Sequence, residues 1–384
     1  MPTLDTFAAE KLARLDHKHL RRRLIETTRA DGIWVTRNGR RLLSFSCNDY
    51  LNLSRHPAVK DAAMAAIRTH GVGAGASRLV TGNHPLFGAL ETRLAALKGT
   101  DAACVFGSGY LANIGIIPTF VGKTDLILVD ELAHSCIWAG AEMSGGTVAS
   151  FRHNDLDDAR NVLKAQRAAH RHALIATDGV FSMDGDLAPL PALAALAEEY
   201  DAWLLSDDAH GIGVLAGGRG STFAHGAPAK VPLQMGTLSK AIGGYGGYLC
   251  GSRPVIDLVK TKAASFVYST GLPPPSVAAA IAALDFITAN PDYIERPLHN
   301  ARAFTRALNL PEAQSPIVPI VIGPADKALQ ASQELEDKGF LVVAIRPPTV
   351  PKDTARLRVA FTANHTSDDV RRLAEAIAPH VGRA

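Results

Sequence analysis

One lysine in the stretch PLQMGTLSKAIGGYGGYLCGS, residues 232 to 252, has a setting that indicates chemistry. Lys240 is followed by Ala241, Ile242 and two glycines, in a run that alternates glycine with apolar side chains. Burial in such a run disfavours the ammonium form and lowers the pKa of the amine, which can then condense with an aldehyde to a Schiff base. The alternative is a lysine at a glycine-rich turn that binds phosphate as a point charge, and this stretch alone does not decide between the two.

An acidic pair and a histidine follow the apolar run Ala202 to Leu205, which is typical of a buried strand. Polar residues that follow a parallel strand lie where open α/β sheets place their ligands. Asp207 and His210 are at most about 10 Å apart along the chain, so that both side chains can contact one small ring.

A third stretch, FGSGYLAN at residues 106 to 113, places Ser108, Gly109 and Tyr110 at the start of a helical pattern. Free backbone N–H groups and the helix dipole bind phosphate at such a position. Together with Lys240 and the Asp–His pair, this turn supplies the groups that pyridoxal 5'-phosphate requires: an amine, a partner for the ring nitrogen, a partner for the ring hydroxyl and a phosphate cradle. The three stretches therefore predict pyridoxal phosphate as the cofactor.

The chain resembles the α-oxoamine synthases, a family of fold-type I pyridoxal-phosphate enzymes, from about residue 44 to 366. The matching segments are FSCNDYLNLS, GVGAGASRLVTGNHPLFGALE, ELAHSC, DGVFSMDGDLAPL, DDAHGIGVL, the Lys240 stretch, VYSTGLPP and AIRPPTVPKDTARLRVAFTANHT. Most of them occur in every branch of the family. AIRPPTVP is typical of the branch that condenses L-alanine with a pimeloyl thioester in biotin biosynthesis, and this is the activity that the resemblance implies.

The resemblance also implies roles around the cofactor that residue types alone leave open. His134 would lie over the ring, on the face opposite Lys240, and Ser182 and Thr237 would donate hydroxyl contacts. Thr270 would belong to the phosphate site of a neighbouring subunit, which implies a homodimer with shared active sites. The family usually has glycine where this chain has Asn52, in a loop, and Ser239. The change at Ser239 leaves the local phosphate geometry open.

Two separated carboxylate anchors are expected, because alanine carries one carboxylate and the far end of the pimeloyl chain carries another. By resemblance, Asn48 and Arg358 bind the alanine carboxylate, for which a planar guanidinium is well suited. Three further candidates for the far carboxylate are Arg21, Arg346 and Thr349. The alternatives are that the cluster at residues 21 to 23 is a solvated face and that Arg346 is a structural loop residue.

Within this reading Lys240 is the base that removes the alanine Cα proton, and Asp207, rather than its neighbour Asp208, keeps the ring nitrogen protonated. A sister synthase such as glycine C-acetyltransferase, which uses glycine and acetyl-CoA, is the first alternative. A non-catalytic pyridoxal-phosphate protein is the second, and the joint presence of His134, Lys240 and Arg358 argues against it. The acyl donor can be pimeloyl-CoA or a pimeloyl carrier protein.

The elements that must position these residues follow from the alternation of strands and helices between residue 86 and about 260, which predicts a mostly parallel sheet with right-handed crossovers. We expect an α/β fold-type I transferase with a large cofactor domain at residues 46–275 and a smaller α+β domain at 276–384. Residues 1–45 are expected to pack with the small domain, as a helix over residues 4 to 29 followed by a hairpin that turns at Asn38 and Gly39.

The composition limits the classes of protein to which the chain can belong. The chain has 384 residues, 47% of them hydrophobic and 20% charged, which is ordinary for a globular core. A formal net charge of +3 and the lack of basic runs interleaved with aromatic residues give no indication of nucleic-acid binding. The N-terminal residues do not resemble a signal peptide, and a cytoplasmic protein is expected. Four cysteines without short paired spacing predict buried thiols rather than a zinc site or disulfides.

Overall fold

The computed structural model of the chain describes residues 3–18 and 20–382. Its strands are β1 Thr27–Asp31, β2 Trp34–Arg37, β3 Arg40–Ser44, β4 Ala102–Phe106, β5 Leu126–Asp130, β6 Thr147–Phe151, β7 Ala173–Asp178, β8 Trp203–Asp207, β9 Leu233–Thr237, β10 Gly247–Gly251, β11 Ile317–Gly323, β12 Phe340–Leu341, β13 Val343–Ile345 and β14 Ala355–Ala360. Its α-helices are α1 Leu4–His17, α2 Pro57–His70, α3 Pro85–Lys98, α4 Gly109–Phe120, α5 Ser135–Ser144, α6 Leu156–Gln166, α7 Leu190–Glu199, α8 Arg253–Lys262, α9 Ala264–Val267, α10 Pro274–Ala289, α11 Pro291–Ala307, α12 Ala325–Asp337 and α13 Ser367–Ile377.

The largest sheet in the described part of the chain has seven strands in the order β4-β10-β9-β8-β7-β5-β6. β5 to β9 pair in parallel, and β10 runs antiparallel to both β9 and β4. All residues of β4, β5, β7, β9 and β10 are buried, as expected for strands covered on both faces. The predicted α/β class with a mostly parallel sheet is confirmed.

Helices cover both faces of this sheet. Side chains of α4, α5 and α8 share one apolar core with the strands, and those of α6 and α7 share another. On the side of β4 and β10, α2, α3 and α10 form a third core together with the loop that follows Lys240. These layers fix the strand ends from which the site residues project.

The smaller unit is built on the antiparallel sheet β11-β14-β13, and α11, α12 and α13 pack into its apolar core. The N-terminal hairpin joins this part of the chain, because β12 pairs in parallel with β3, with Phe340 opposite Leu43. The boundaries at 45/46 and 275/276 stay predictions. Apolar packing favours a later second boundary, since the buried residues of α10 lie in the core shared with α2 and α3.

The predicted helix over residues 4 to 29 is wrong beyond His17, and residue 19 of that range lies outside the described residues. α1 ends at His17, and residues 27–31 form a strand that pairs antiparallel with β2. None of the residues of α1 is buried, so no packing prolongs its apolar spacing, whereas the β-branched Thr27 and Thr28 favour a strand. The hairpin prediction is confirmed: Asn38 and Gly39 both have positive φ, as a type I' turn requires.

Within residues 3–18 and 20–382, no helix is long and apolar enough to cross a membrane. The cytoplasmic location stays a prediction. Of the four thiols, which are all free, Cys104, Cys136 and Cys250 are buried as predicted, but Cys47 is only half-buried because it lies in the loop before α2.

Candidate active site

A cavity of about 210 Å³ lies at the C-terminal ends of the central parallel strands. Asp178 ends β7, Asp207 ends β8 and Thr237 ends β9, so the three neighbouring strands deliver polar side chains to one edge of the sheet. The cavity is lined by Ser108, Gly109, Tyr110, His134, Cys136, Asp178, Val180, Ser182, Asp207, Ala209, His210, Met235, Thr237, Ser239 and Lys240. The three stretches singled out from the sequence therefore meet in one place.

Asp207 is held in a fixed orientation at the buried end of this cavity. Its Oδ1 accepts a hydrogen bond from the backbone N–H of Ala209 at 3.0 Å, and its Oδ2 accepts one from the amide of Asn113 at 2.7 Å. Burial and the charge of Asp207 raise the pKa of the neighbouring Asp178 well above its usual range. The pair thus provides one oriented carboxylate beside one acid that favours its protonated form.

Asp208 points away from the cavity into a structural ion pair. Its Oδ2 lies 2.7 Å from Nζ of Lys98, and both side chains are fully buried. Its Oδ1 accepts from the backbone N–H of Ser221 at 2.9 Å. The two adjacent aspartates therefore serve different parts of the fold.

Lys240 begins a continuous chain of hydrogen bonds that leads out of the cavity. Its Nζ lies 2.6 Å from Nε2 of His210, and Nδ1 of the same ring lies 2.6 Å from the hydroxyl of Tyr50. Arg358 contacts that hydroxyl through Nη2 at 3.4 Å and donates to Oδ1 of Asn48 at 3.0 Å. These hydrogen bonds connect the amine of Lys240 with Arg358, the arginine expected to bind the alanine carboxylate.

Burial sets the protonation of the basic groups here. It lowers the pKa of Lys240 to about 8, although the charges of Asp207 and Asp178 act in the opposite direction. Burial, with the charges of Lys240 and Arg358, lowers the pKa of His210 well below its usual range. A free lysine amine is therefore accessible near neutral pH, beside a neutral imidazole.

The opposite end of the cavity is built to receive an anion. Ser108 is the N-cap of α4 and accepts from the N–H of Leu111 at 3.1 Å. A Cβ on Gly109 would lie 3.2 Å from Cε of Met235 and 3.4 Å from Cβ of Thr237, so a larger residue would crowd these side chains. The hydroxyl of Thr237 lies 2.8 Å from that of Ser239, which provides the local geometry at the position where the family usually has glycine. A helix N-terminus with hydroxyl donors, an amine and a carboxylate fits pyridoxal phosphate.

His134 stands between this cavity and a second one. It is the N-cap of α5, where its Nδ1 accepts a hydrogen bond from the backbone N–H of Cys136. The backbone N–H of His134 donates to Oδ1 of Asp178 at 3.2 Å. Burial lowers the pKa of the imidazole. Because His134 and Ser182 line both cavities, the two spaces adjoin at these side chains.

The second cavity has a volume of about 700 Å³, and its lining includes one arginine, two acidic residues and several apolar side chains. It is lined by Arg22, Glu131, Leu132, Ala133, His134, Ser135, Trp138, Ser182, Met183, Asp184, Pro348, Thr349, Val350 and Pro351. Arg22 donates to the hydroxyl of Thr349 at 2.9 Å. Burial and the nearby charge of Arg22 lower the pKa of Arg346, so a second guanidinium lies near Arg22, although Arg346 itself does not line the cavity.

Five candidate residues line neither cavity: Arg21, Asn48, Thr270, Arg346 and Arg358. Arg21 forms an ion pair with Asp16 at 2.6 Å instead of lining the second cavity. Thr270 is exposed and pairs through its backbone with Ser77, outside both cavities. Neither placement tests the role predicted for the residue in a dimer or a complex.

Four residues near the site were not selected from the sequence: Tyr50, Asn113, Cys136 and Asp178. Asp178 carried a usable signal, because it ends the apolar run ALIATD as Asp207 ends its own strand. Tyr50, Asn113 and Cys136 carried none, since each acts through contacts made across distant parts of the chain. Asn113 on α4, for example, reaches Asp207 across 94 residues.

Comparison with known proteins agrees with this geometry. The family model described as aminotransferase class I and II matches residues 40–377. An 8-amino-7-oxononanoate synthase of Beijerinckia indica is 62% identical and the match covers 99% of this chain and 98% of that one. One of Methylocella silvestris is 65% identical over 89% of this chain and 98% of its own. Among solved structures, a serine palmitoyltransferase from S. paucimobilis with bound PLP and myriocin is similar with a TM-score of 0.92, at 27% identity and covering 99% and 98% of the two chains.

Proposed function

The chain belongs to the aminotransferase class I and II family, and we propose that it acts as an 8-amino-7-oxononanoate synthase of biotin biosynthesis. The reaction condenses L-alanine with a pimeloyl thioester and releases 8-amino-7-oxononanoate, CO2 and the free thiol. The observation that carries this proposal is the pair of adjoining cavities, one holding Lys240 and Asp207 and the other holding Arg22 and Thr349.

Pyridoxal 5'-phosphate is the cofactor, and when bound it supplies an electron-withdrawing ring that stabilises negative charge at the alanine Cα. Lys240 would hold it, Ser108, Gly109 and Thr237 would receive its phosphate, and Asp207 would partner its ring nitrogen. At an effective dielectric of 20, a carboxylate about 3 Å from a cation contributes on the order of 5 kcal/mol, enough to keep that nitrogen protonated. The orientation of Asp207 by Asn113 and Ala209 is therefore functional.

The residues around the bound alanine have separate roles in binding it and in removing its Cα proton. Arg358 and Asn48 bind its carboxylate, and the guanidinium is already oriented because its Nε donates to the carbonyl of Ser182 at 2.5 Å. Lys240 takes the Cα proton, which its amine can do because the pKa lies near 8. His134 and Ser182 close the space between alanine and the acyl chain.

The second cavity accommodates the pimeloyl chain and its far carboxylate. Trp138, Met183 and Val350 offer apolar contacts for the methylenes. Arg22 and Thr349 are already hydrogen-bonded to each other. Burial and repulsion by the charge of the nearby Arg22 lower the pKa of Arg346. A carboxylate between the two guanidinium groups would relieve this repulsion, which favours Arg22 and Arg346 over Arg21 as the anchor.

The partners implied are L-alanine, pimeloyl-CoA or a pimeloyl carrier protein, and a second copy of the chain. A homodimer with shared active sites is supported by the exposure of Thr270 and of its apolar neighbour Tyr268 on the protein surface.

Product analysis tests the function. Purified protein is given L-alanine with a pimeloyl thioester, or glycine with acetyl-CoA, and the products are identified by mass spectrometry. We expect 8-amino-7-oxononanoate with the first pair and at most traces of aminoketobutyrate with the second. Efficient turnover of the second pair alone would show a sister synthase instead. Pimeloyl-CoA and a pimeloyl carrier protein are assayed separately to identify the donor.

A further inference from the structure

Tyr50 is the buried link between the alanine-binding end of the site and Lys240. Its side chain is fully buried, and its hydroxyl contacts Nδ1 of His210 at 2.6 Å, Oδ1 of Asn48 at 3.4 Å and Nη2 of Arg358 at 3.4 Å. The tyrosine lines neither of the two cavities. Any influence it has on the reaction must therefore pass through the residues that its hydroxyl contacts, and His210 is the one among them that contacts Lys240.

The hydroxyl has one proton, and its surroundings decide where that proton goes. Arg358 can only donate, so the hydroxyl oxygen accepts from Nη2. Oδ1 of Asn48 already accepts from Nη1 of Arg358 at 3.0 Å and lies farther from the hydroxyl than Nδ1 of His210 does. The proton is thus best placed on the 2.6 Å contact, where Nδ1 must be an acceptor.

A neutral imidazole that accepts at Nδ1 carries its proton at Nε2. Nε2 faces Nζ of Lys240 at 2.6 Å, and this single contact has room for only one proton. If Nε2–H donates, the amine must offer its lone pair and be neutral. If the proton were on Nδ1, Nε2 would accept from the ammonium and favour the charged lysine.

We propose that Tyr50 is a positioning residue that donates to Nδ1 of His210 and so holds the imidazole in the Nε2–H tautomer, which favours the free amine of Lys240. The inference rests on the proposed function only in that the free amine is the base. The other charged or titratable groups that act on Lys240 are Asp207, Asp178 and Cys136, which favour its ammonium form, and Arg358, which opposes it. The lowered pKa of His210 agrees with a neutral ring.

The first measurement reads the tautomer in the unaltered protein. The full chain is labelled with ¹⁵N-histidine, and long-range ¹H–¹⁵N spectra are recorded at pH 8.5 for the holoenzyme and after removal of the cofactor. The signals of His210 are assigned by comparison with His210→Asn. We expect a protonated Nε2 and an unprotonated Nδ1 in both forms. A proton on Nδ1 of the unaltered protein overturns the proposal, whether or not any variant folds.

The second measurement removes the hydroxyl. Tyr50→Phe should shift His210 toward the Nδ1–H tautomer and raise the pKa of Lys240. One pKa unit changes the free amine at pH 7 about tenfold, so labelling of Lys240 by trinitrobenzenesulfonate in the cofactor-free chain should slow by about three- to tenfold. The labelling rate at Lys240 is followed by peptide mapping.

Tyr248→Phe is the matched control, because Tyr248 is also fully buried and its hydroxyl lies outside this chain of contacts. It should leave the tautomer and the labelling rate unchanged. Equal effects of the two variants, or no effect of Tyr50→Phe on either readout, would refute the positioning role. Because neither readout depends on acyl donors, a failed product assay would count against the proposed function and not against this inference.

Discussion

Asp207 and Asp208 are adjacent in the sequence but have different partners, and this predicts opposite effects of the same substitution. Asp207→Asn should lower turnover by about a hundred- to a thousandfold with little change in stability, because a preorganised charge beside the reacting group is lost. Asp208→Asn should keep turnover per folded molecule but destabilise the protein by about 3–5 kcal/mol, because Lys98 is left buried without its partner.

Steady-state turnover and urea unfolding of both variants check this pair of predictions. Near-normal turnover of Asp207→Asn, together with a folded but inactive Asp208→Asn, would mean that the ring-nitrogen partner has been assigned to the wrong aspartate.

Arg21 and Arg22 are neighbours in the sequence, but only Arg22 is predicted to bind the far carboxylate of the pimeloyl chain. A charge-assisted hydrogen bond contributes about 1.5–3 kcal/mol. Arg22→Ala and Arg346→Ala should therefore reduce kcat/KM for the pimeloyl thioester by roughly ten- to hundredfold while alanine affinity changes little. Arg21→Ala is the matched control and should have a small effect, since its partner is Asp16.

Kinetics with a methyl-capped pimeloyl donor complete this test. Because this donor has no free carboxylate, Arg22→Ala should not lower kcat/KM for it. If Arg21→Ala alone impairs pimeloyl use, or if the capped donor works as well as the free acid with the unaltered protein, the second cavity does not bind the carboxylate in this way.

His153 connects three segments of the large sheet through hydrogen bonds. It follows β6, and its ring contacts Asp130 at the end of β5 at 3.1 Å and Asp186 in the loop after β7 at 2.8 Å. Burial acts to lower its pKa, but the hydrogen bonds to the two carboxylates outweigh burial and raise it to about 10. The same loop carries Ser182, so this contact supports a wall of both cavities.

This contact makes stability depend on pH. Between pH 6.5 and about 10 the folded state keeps a proton on His153 that the unfolded state has lost, so the stabilisation is full below pH 6.5 and disappears as the pH rises toward 10. The difference in unfolding free energy between the unaltered protein and His153→Gln should therefore shrink steadily over this window. Urea unfolding at pH 6, 8 and 9.5 measures it, and a difference that stays constant with pH would argue against a charged His153.

The elements of the large sheet could be predicted from the sequence because their signals are local. The apolar run Ala202 to Leu205 before Asp207 predicts a buried strand, and the Asn38–Gly39 turn specifies its own hairpin. The predicted N-terminal helix is longer than α1 because apolar spacing alone does not show whether a helix face is buried. No local pattern indicates that β12 pairs with β3 or that α10 joins the core of α2 and α3, since both depend on long-range packing.

The same limit applies to the site. Lys240, Asp207 and Ser108 could be selected because each lies in a stretch with recognisable chemistry. Arg22 could not be distinguished from Arg21, because the choice depends on where α1 ends and on the distant residue Thr349. In the sequence, Tyr50 cannot be told from an ordinary core residue. Only its contact with His210 in the structure connects it with the site.

At the scale of the whole molecule, the surface that carries Thr270 indicates a partner. Val72, Val80 and Tyr268 are 75%, 74% and 85% exposed, and the two segments that carry them are joined through the bridge between Ser77 and Thr270. Exposed apolar residues of this kind mark interaction surfaces. We expect a homodimer in which Thr270 serves the site of the other subunit.

Complementation between two impaired variants tests shared sites. Lys240→Ala and Thr270→Ala chains should be inactive or weak alone, but a mixed dimer with shared sites contains one site with both residues intact. Random reassociation of equal amounts should therefore restore about a quarter of the unaltered activity. A mixture that stays as weak as its components, although mixed dimers are detected by mass, would show that each subunit builds its site alone.

Lys240 is proposed to hold the cofactor covalently, and trapping the cofactor on the protein identifies the lysine that does so. The holoenzyme is reduced with borohydride and digested, and the cofactor-labelled peptide is sequenced by mass spectrometry. We predict that the label lies on Lys240 and that Lys240→Ala, although folded, takes up none. A label on any other lysine of the unaltered protein would show that Lys240 does not hold the cofactor.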